Sequence, residues 1–290
     1  MKENIILKSV GGFYYVKSGE NVIECKAKGK FRNLSLSPVA GDIVDIENDG
    51  STTVISKIHE RKNKFIRPPF ANLELMILVV STVEPVPNYL VIDKMCAIAR
   101  HKGVDVAVVV TKSDVAEAQQ VYDVYTKAGY PVFCTGEDDA GQLAALRKLM
   151  KGRLCAFSGN SGVGKSTLLN KLFPDLQLET GRISKKLGRG KHTTRQVEIF
   201  DMGDCMVADT PGFSSVELDY DNFISKTDLQ YAFVEFADYI GECKFSDCSH
   251  TGEIGCAVKQ ALSEEKIAQS RYESYCALYE RQKNIKDWEL

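Results

Sequence analysis

Apolar and polar positions alternate with period two through the first 70 residues of the chain. GFYYVKSGENVIECKAKG (12–29) holds two alternating stretches around the turn SGEN, and GDIVDIENDGSTTVISKIHER (41–61) holds two more around NDGS. Both read as hairpins. Several short strands in so small a segment suit a barrel, with the OB-fold as the commonest candidate. IRPPF (66–70) is expected to end the segment, because two prolines interrupt ladder and helix alike. From 71 to 218 the pattern changes. LELMILVVS, DVAVVVT, YPVFCT, RLCAFSG, RQVEIFD and CMVADT read as strands, with helical stretches such as NYLVIDKMCAIARHKG and AGQLAALRKLM between several of them. Continuous apolar strands alternating with helices predict a parallel sheet covered on both faces. From 219 to 290 the strand pattern is lost, and FISKTDLQYAFVEFADYIG and SEEKIAQSRYESYCALYERQK carry helical periodicity. The expected organisation is therefore three domains: 1–70, 71–218 and 219–290.

Composition narrows the class. The chain has 290 residues, 44% apolar and 26% charged, the profile of an ordinary globular protein. The opening MKENIILKSVGG lacks the apolar core of a signal peptide. LMILVV (75–80) is far short of the ~18 apolar residues that span a bilayer. A cytoplasmic location without membrane contact is expected. With a net charge of −2, any nucleic-acid surface must be a local patch. Of nine cysteines, Cys25, Cys96, Cys134, Cys155, Cys205 and Cys276 lie in apolar patterns and read as small buried hydrophobes.

The candidate chemistry is concentrated in a few motifs. Gly159-Asn160-Ser161-Gly162-Val163-Gly164-Lys165-Ser166, followed by Thr167, fits the phosphate-loop pattern and lies between a strand and a helix. Glycines let several N–H groups converge on phosphates at a helix N-terminus. Lys165 is suited to the β- and γ-phosphates and Ser166 to Mg²⁺. Asp209-Thr210-Pro211-Gly212 follows the strand CMVA. Asp209 suits a water-mediated Mg²⁺ contact, and the Gly212 amide suits the γ-phosphate. Thr111-Lys112-Ser113-Asp114 follows DVAVVV. The Asp114 carboxylate accepts from the N1–H and exocyclic amine of guanine. Adenine would leave it facing a lone pair, an unpaired buried group costing about 1–3 kcal/mol. Lys112 suits packing along the base. Thr135-Gly136 is a second small loop suited to the guanine O6.

Two further stretches stand out. GRISKKLGRGKHTTRQVEI (181–199) is rich in glycine and in cations: Arg182, Lys185, Lys186, Arg189, Lys191 and Arg195. Thr193 or Thr194 could complete a Mg²⁺ shell when a γ-phosphate is present, and Thr194 is the favoured ligand. The cations suit a polyanionic partner. Cys243-x4-Cys248-x-His250-x5-Cys256 supplies three thiolates and an imidazole, the donor set of a closed tetrahedral Zn²⁺ site.

The order of these motifs is guanine loop, base loop, phosphate loop, basic switch loop, then DTPG. That order defines a circularly permuted GTPase. With an amino-terminal barrel and a carboxy-terminal Cys-Cys-His-Cys segment, the chain closely resembles the ribosome small subunit-dependent GTPase A (RsgA) family across essentially its whole length. The resemblance implies GTP hydrolysis to GDP and phosphate, slow alone and faster with the small (30S) ribosomal subunit. It further implies a role late in maturation of that subunit, with rRNA contacts shared by the barrel, the switch loop and the zinc domain. A monomer is expected. Thr111 stands where the motif usually has Asn; its hydroxyl can bond the base or a neighbouring loop. Gly136 stands where many relatives carry Ser or Ala. Phe213 follows the DTPG glycine and cannot orient a water through its ring. The water-positioning group must therefore come from elsewhere, with His192 a candidate. The chain leaves the sheet just after Gly212, so γ-phosphate contacts there are expected to pass into the zinc segment.

Two rival readings make different demands. An ATP-dependent kinase would prefer ATP and need a small-molecule acceptor site, which Asp114 and DTPG oppose. A non-catalytic RNA-binding module would hold GTP without turnover, and the stretch Lys57, Arg61, Lys62, Lys64 and Arg67 fits that reading as well as the first.

Overall fold

The computed structural model describes residues 4–29, 31, 36–50, 52–174, 197–210 and 222–283. Within these the chain packs as two compact units. The first draws on Met1–Met76, Arg147–Ser158 and Lys165–Ser215, the second on Ile77–Leu146, Gly159–Gly164 and Val216–Leu290.

The first unit begins with a closed barrel of β1 (Asn4–Val10), β2 (Phe13–Ser18), β3 (Asn21–Ala27), β4 (Ile43–Asp49) and β5 (Thr52–Ile58), ordered β1-β2-β3-β5-β4. β1 closes on β4, and β3 runs parallel to β5. This is the OB arrangement expected from the two hairpins. Every second residue of the strands faces inward, so Ile6, Val16, Cys25, Val44 and Ile55 join Phe31 in one core. The IRPPF stretch is not a simple terminator. It is the turn of a small hairpin of β6 (Lys64–Phe65) and β7 (Phe70–Ala71), closed by stacking of Phe65 on Phe70 with ring centroids 4.8 Å apart. The prolines sit in the turn, where no ladder hydrogen bond is required of them.

Six further strands form a sheet in the order β10-β9-β8-β11-β13-β12: β8 (Leu75–Ser81), β9 (Asp105–Thr111), β10 (Val132–Thr135), β11 (Leu154–Ser158), β12 (Glu198–Asp201) and β13 (Met206–Asp209). All seven residues of β8 are buried, as a central strand covered on both faces requires. One expectation fails at the edge. β12, within RQVEIFD, pairs antiparallel with β13. Only Met202–Cys205 joins the two strands, far too short for the crossover that parallel pairing needs. Lys8 and Lys17 of the barrel reach Glu198 and Asp201 of β12 at 2.7 and 2.6 Å.

In the second unit, α1 (Tyr89–His101), capped by the Asn88 side chain, and α2 (Gln119–Lys127) accompany β9 and β10. α3 (Ala140–Met150) runs from the second unit into the first, its last residues Arg147–Met150 belonging to the first. In the first unit, α4 (Lys165–Leu172) follows the phosphate loop. The stretch 223–241, read as helical from its period, contains instead two 3-10 turns, Leu229–Ala232 and Val234–Phe236. Phe233 between them is extended, which lays its ring 4.6 Å from the Arg271 guanidinium. The expected carboxy-terminal helix is α6 (Gln269–Lys283), preceded by α5 (Ala257–Ser263). Of the six scattered cysteines, Cys25, Cys96, Cys155 and Cys205 are buried as expected, whereas Cys134 and Cys276 are only half-buried. No helix among the described residues is long and apolar enough to cross a membrane.

Candidate nucleotide-binding site and metal centre

Parallel pairing of β9 with β10 sets Thr111 opposite Thr135, so Thr111-Lys112-Ser113-Asp114 and Thr135-Gly136 emerge side by side. The Ser113 N–H donates to the Thr135 carbonyl at 3.2 Å. Lys112 takes a left-handed backbone, φ 59°, which folds the loop tightly enough for the Val115 N–H to reach the Lys112 carbonyl at 2.9 Å. Asp114 lies hard against Gly136. A Cβ on that glycine would fall 2.8 Å from Asp114 Oδ1 and 3.0 Å from Ser113 Oγ. The absence of a side chain at 136 is therefore what admits this placement of the carboxylate.

The phosphate loop shows the same economy of space. A Cβ on Gly159 would stand 2.3 Å from the Val79 carbonyl oxygen, so only hydrogen fits there. Val163 is buried, and its carbonyl accepts from Thr111 Oγ1 at 2.6 Å. In the first unit, Lys165 and Ser166 open α4, and burial pulls the Lys165 ammonium below the ordinary lysine range. Asp209 ends β13. Parallel pairing of β11 with β13 places it at the same carboxyl end as Ser158. Thr193, Thr194, His192, Gly212 and the switch-loop cations Arg182, Lys185, Lys186, Arg189, Lys191 and Arg195 lie outside the described residues.

Sequence reasoning missed one element here. The segment after β8 holds the candidate guanine loop: Thr82 Oγ1 donates to the Lys112 carbonyl at 2.8 Å, and Lys112 Nζ donates to the Glu84 carbonyl at 2.7 Å. The paired prolines of EPVP were the available signal, since they mark a stiff connection.

The four metal-ligand candidates converge. One donor atom from each of Cys243, Cys248, His250 and Cys256 lies within 4.8 Å of the others. Cys243 Sγ is 3.9 Å from Cys256 Sγ, and His250 Nδ1 is 3.5 and 3.4 Å from these two sulfurs. A tetrahedron with Zn–S of ~2.3 Å and Zn–N of ~2.0–2.1 Å has S···S edges of about 3.8 Å and S···N edges of about 3.6 Å. The spacing of Cys243, His250 and Cys256 fits. Outside the cluster, His250 Nε2 lies 2.9 Å from Gln230 Oε1, which fixes the ring with Nδ1 turned inward. Sequence reasoning had not singled out Gln230. Glu253 rigidifies the connecting turn by accepting from the Ser249 hydroxyl and from the Ser249, Thr251 and Gly252 N–H groups.

A chain in which TKSD at the end of β9 precedes the phosphate-loop pattern after β11, and which also carries a five-stranded barrel and a Cys3His cluster, has the motif order of a circularly permuted P-loop GTPase. Two family models cover most of the chain: RsgA GTPase over residues 58–219 and RsgA N-terminal domain over residues 3–55. The chain belongs to the RsgA GTPase family, whose members are GTP hydrolases using GTP, GDP and Mg²⁺. It is 42% identical to the small ribosomal subunit biogenesis GTPase RsgA of a Geobacillus species, over 99% of both chains. It is 39% identical to the protein of that name from Alkaliphilus metalliredigens, over 95% of this chain and 96% of that one. Among solved structures it resembles YjeQ from Thermotoga maritima, with a TM-score of 0.81 and 30% identity over 98% of this chain and 99% of that one. It also resembles YloQ, described as a circularly permuted GTPase, with a TM-score of 0.79 and 30% identity over 99% of this chain and 96% of that one.

Proposed function

We propose that this GTPase hydrolyses GTP in the cytoplasm, as a monomer, under stimulation by the small ribosomal subunit, and acts late in maturation of that subunit while bound to its rRNA. The names of its relatives support the small-subunit assignment. The domains are 1–70 for the barrel, 71–218 for the GTPase and 219–290 for the zinc-binding helical segment.

In this reading Asp114 selects guanine, with Thr111, Lys112 and Ser113 completing its loop. The amides of Gly159, Asn160, Ser161, Gly162, Val163 and Gly164, with Lys165, Ser166 and Thr167, take the phosphates. Backbone N–H groups aimed at one cluster of oxygens require no reorganisation when charge moves from the γ-phosphoryl group toward the leaving group, and Lys165 neutralises part of it. Ser166, Thr194 and Asp209 would hold Mg²⁺, which would supply neutralisation of phosphate charge when bound. The Gly212 amide meets the γ-phosphate, and His192 orients the attacking water. Cys243, Cys248, His250 and Cys256 would hold one structural Zn²⁺; with four protein donors, no position is left open for catalysis.

The observation that carries this reading is the fit of Asp114 against Gly136 on strands whose register brings the two loops together. The test is GTP turnover by the purified protein with and without small subunits, with ATP as the control. Turnover of GTP stimulated by the subunit is expected, with little turnover of ATP. Equal turnover of ATP, or no response to the subunit, would remove the assignment. Replacement of His192 by Ala is expected to lower stimulated turnover; an unchanged rate eliminates that residue.

A further inference from the structure

The barrel sends one cation to the edge strand of the sheet, and an irregularity in β1 aims it. Ile6 of β1 faces the barrel core, so in a regular strand Lys8, two residues on, would face the core as well. The register shifts instead. Ile6 pairs with Val16 but Lys8 pairs with Tyr15, so two steps along β1 match one step along β2. A bulge of this kind turns the side chains that follow it to the other face. Lys8 thereby leaves the core: its Nζ lies 5.4 Å from the centre of the Tyr15 ring and 2.7 Å from Glu198 Oε1 of β12. Glu198 in turn stands directly opposite Asp209 in the antiparallel β12–β13 ladder. Directly opposed residues share one face of the sheet with Cβ atoms about 4.5–5.5 Å apart, and like charges there repel. Lys8, Glu198 and Asp209 all belong to the first unit.

We infer that Lys8 is a positioning residue that acts through Glu198 and sets how strongly nucleotide binding depends on Mg²⁺. It rests on the reading of Lys165, Ser166 and Asp209 given above. Asp209 at the end of β13 and Ser166 at the opening of α4 offer a carboxylate and a hydroxyl oxygen, hard donors that suit Mg²⁺. Glu198 brings a second carboxylate to the face that carries Asp209. With Lys8 in place the Lys8–Glu198 pair is neutral, and Asp209 carries the negative charge of this stretch of the ladder. Without Lys8 the same face holds one more negative charge. That charge repels the phosphates of GDP and attracts a divalent cation. The barrel thus tunes the balance between phosphate and metal binding from one ion pair on its outer face.

The test uses the full chain and GDP, titrated by calorimetry in Mg²⁺-free buffer and at saturating Mg²⁺, for wild type, Lys8→Ala, Glu198→Gln and the double variant. Wild type is expected to bind GDP more tightly with Mg²⁺ than without. In Lys8→Ala, affinity in Mg²⁺-free buffer is expected to fall about two- to fivefold, the scale of a partly exposed ion pair. Saturating Mg²⁺ is expected to recover that loss, so the gain in affinity from Mg²⁺ grows by the same factor. Glu198→Gln is expected to shrink the gain, and the double variant, neutral again, to return it to the wild-type value. A merely structural role moves neither: if Lys8→Ala loses the same factor in both buffers, Lys8 only props the barrel against β12. If the gain stays at the wild-type value in Lys8→Ala, or the double variant keeps the shift, Glu198 is not the route and the inference is overturned. If wild type binds no GDP, or Asp209→Asn keeps the full gain from Mg²⁺, the reading of these residues as a nucleotide and metal site falls first, an outcome separate from failure of the Lys8 inference.

Discussion

Arg271 donates from Nη1 to Asp93 Oδ1 at 2.8 Å, and both side chains are fully shielded from water. The pair ties α6 to α1. Arg271 also grips Glu235 through Nε at 2.6 Å and Nη2 at 3.0 Å, and its guanidinium lies 4.6 Å from the Phe233 ring and 5.5 Å from that of Tyr130. Tyr125 of α2 donates to the same Asp93 oxygen at 2.9 Å. Burial pushes the Asp93 carboxyl up from its ordinary range, and the Arg271 cation pulls against it. Burial also disfavours the Arg271 cation, but Glu235 and Asp93 more than offset this. Removing one partner strands the other charge in a dry interior. Asp93→Ala is therefore expected to cost about 3–5 kcal/mol of unfolding free energy. An all-apolar replacement, Asp93→Leu with Arg271→Met and Glu235→Met, is expected to cost much less. Urea melts of the two variants decide the point: a smaller loss in Asp93→Ala than in the triple variant contradicts it.

Gly136 offers a test of how the base loop is built. A methyl group there would meet Asp114 Oδ1 at 2.8 Å and the Asp114 backbone nitrogen at 3.0 Å. Real Cβ contacts are longer, so the carboxylate must move. Overpacking of this kind costs about 1–3 kcal/mol, and here the displaced group is the one proposed to read the purine. Gly136→Ala is expected to weaken GDP binding roughly tenfold or more and to leave ADP binding unchanged. Fluorescence titration with labelled nucleotides measures both. Full GDP affinity in this variant would mean that Asp114 is not used in the position seen.

These two sites show where the sequence was readable and where it was not. The TKSD and GNSGVGKS stretches are short, contiguous motifs whose place at strand ends could be read from local spacing, and the barrel is written in period-two alternation. The cluster around Arg271 draws on positions 93, 125, 235 and 271, which nothing local connects; an arginine in a largely polar helix reads as a solvated charge. The helical period of 223–241 misled for a related reason: Phe233 departs from helix to serve Arg271, a tertiary demand absent from the local pattern. The antiparallel edge was legible in principle from the short span Met202–Cys205, but the apolar runs on either side looked alike.

Arg147 and Asp204 give a pH dependence with a definite sign. Arg147 Nε donates to Asp204 Oδ2 at 2.9 Å, and its Nη1 donates to the Leu172 carbonyl at 3.1 Å, linking the end of α3 to the β12–β13 turn and the end of α4. The Arg147 hydrogen bond is the main reason that the Asp204 carboxyl sits below its ordinary value of 3.8. A carboxylate lowered on folding contributes stability that is present above its unfolded pKa and disappears as pH falls through the folded one. Both side chains are partly exposed, so the pair contributes on the order of 0.2–1 kcal/mol. The stability gap between wild type and Asp204→Asn is expected to be present at pH 7 and to close on acidification below the ordinary carboxylate range. A gap that widens on acidification would reverse the sign of the argument.

The Cys3His cluster is expected to hold α6 as well as a metal. Tyr272 OH donates to the His250 and Thr251 carbonyls at 2.9 and 3.1 Å, and Tyr275 OH donates to the Ser249 carbonyl at 2.8 Å, so the ligand-bearing turn is stitched to the helix. The turn can keep three thiols and an imidazole within 4.8 Å only if something offsets their crowding once the thiols ionise. A bound divalent ion does so, with an apparent binding free energy on the order of 10 kcal/mol in comparable structural sites. Metal analysis is expected to find one zinc per chain in wild type and almost none in Cys256→Ser. Chelation of wild type is expected to accelerate amide exchange from the ligand turn through α6, while the barrel strands exchange as before, since their core of Ile6, Val16, Val44 and Ile55 owes nothing to the metal. Zinc-free protein whose α6 exchanges as slowly as the loaded form would show that the aromatic and Arg271 contacts alone hold the helix, and that the cluster has no structural role there.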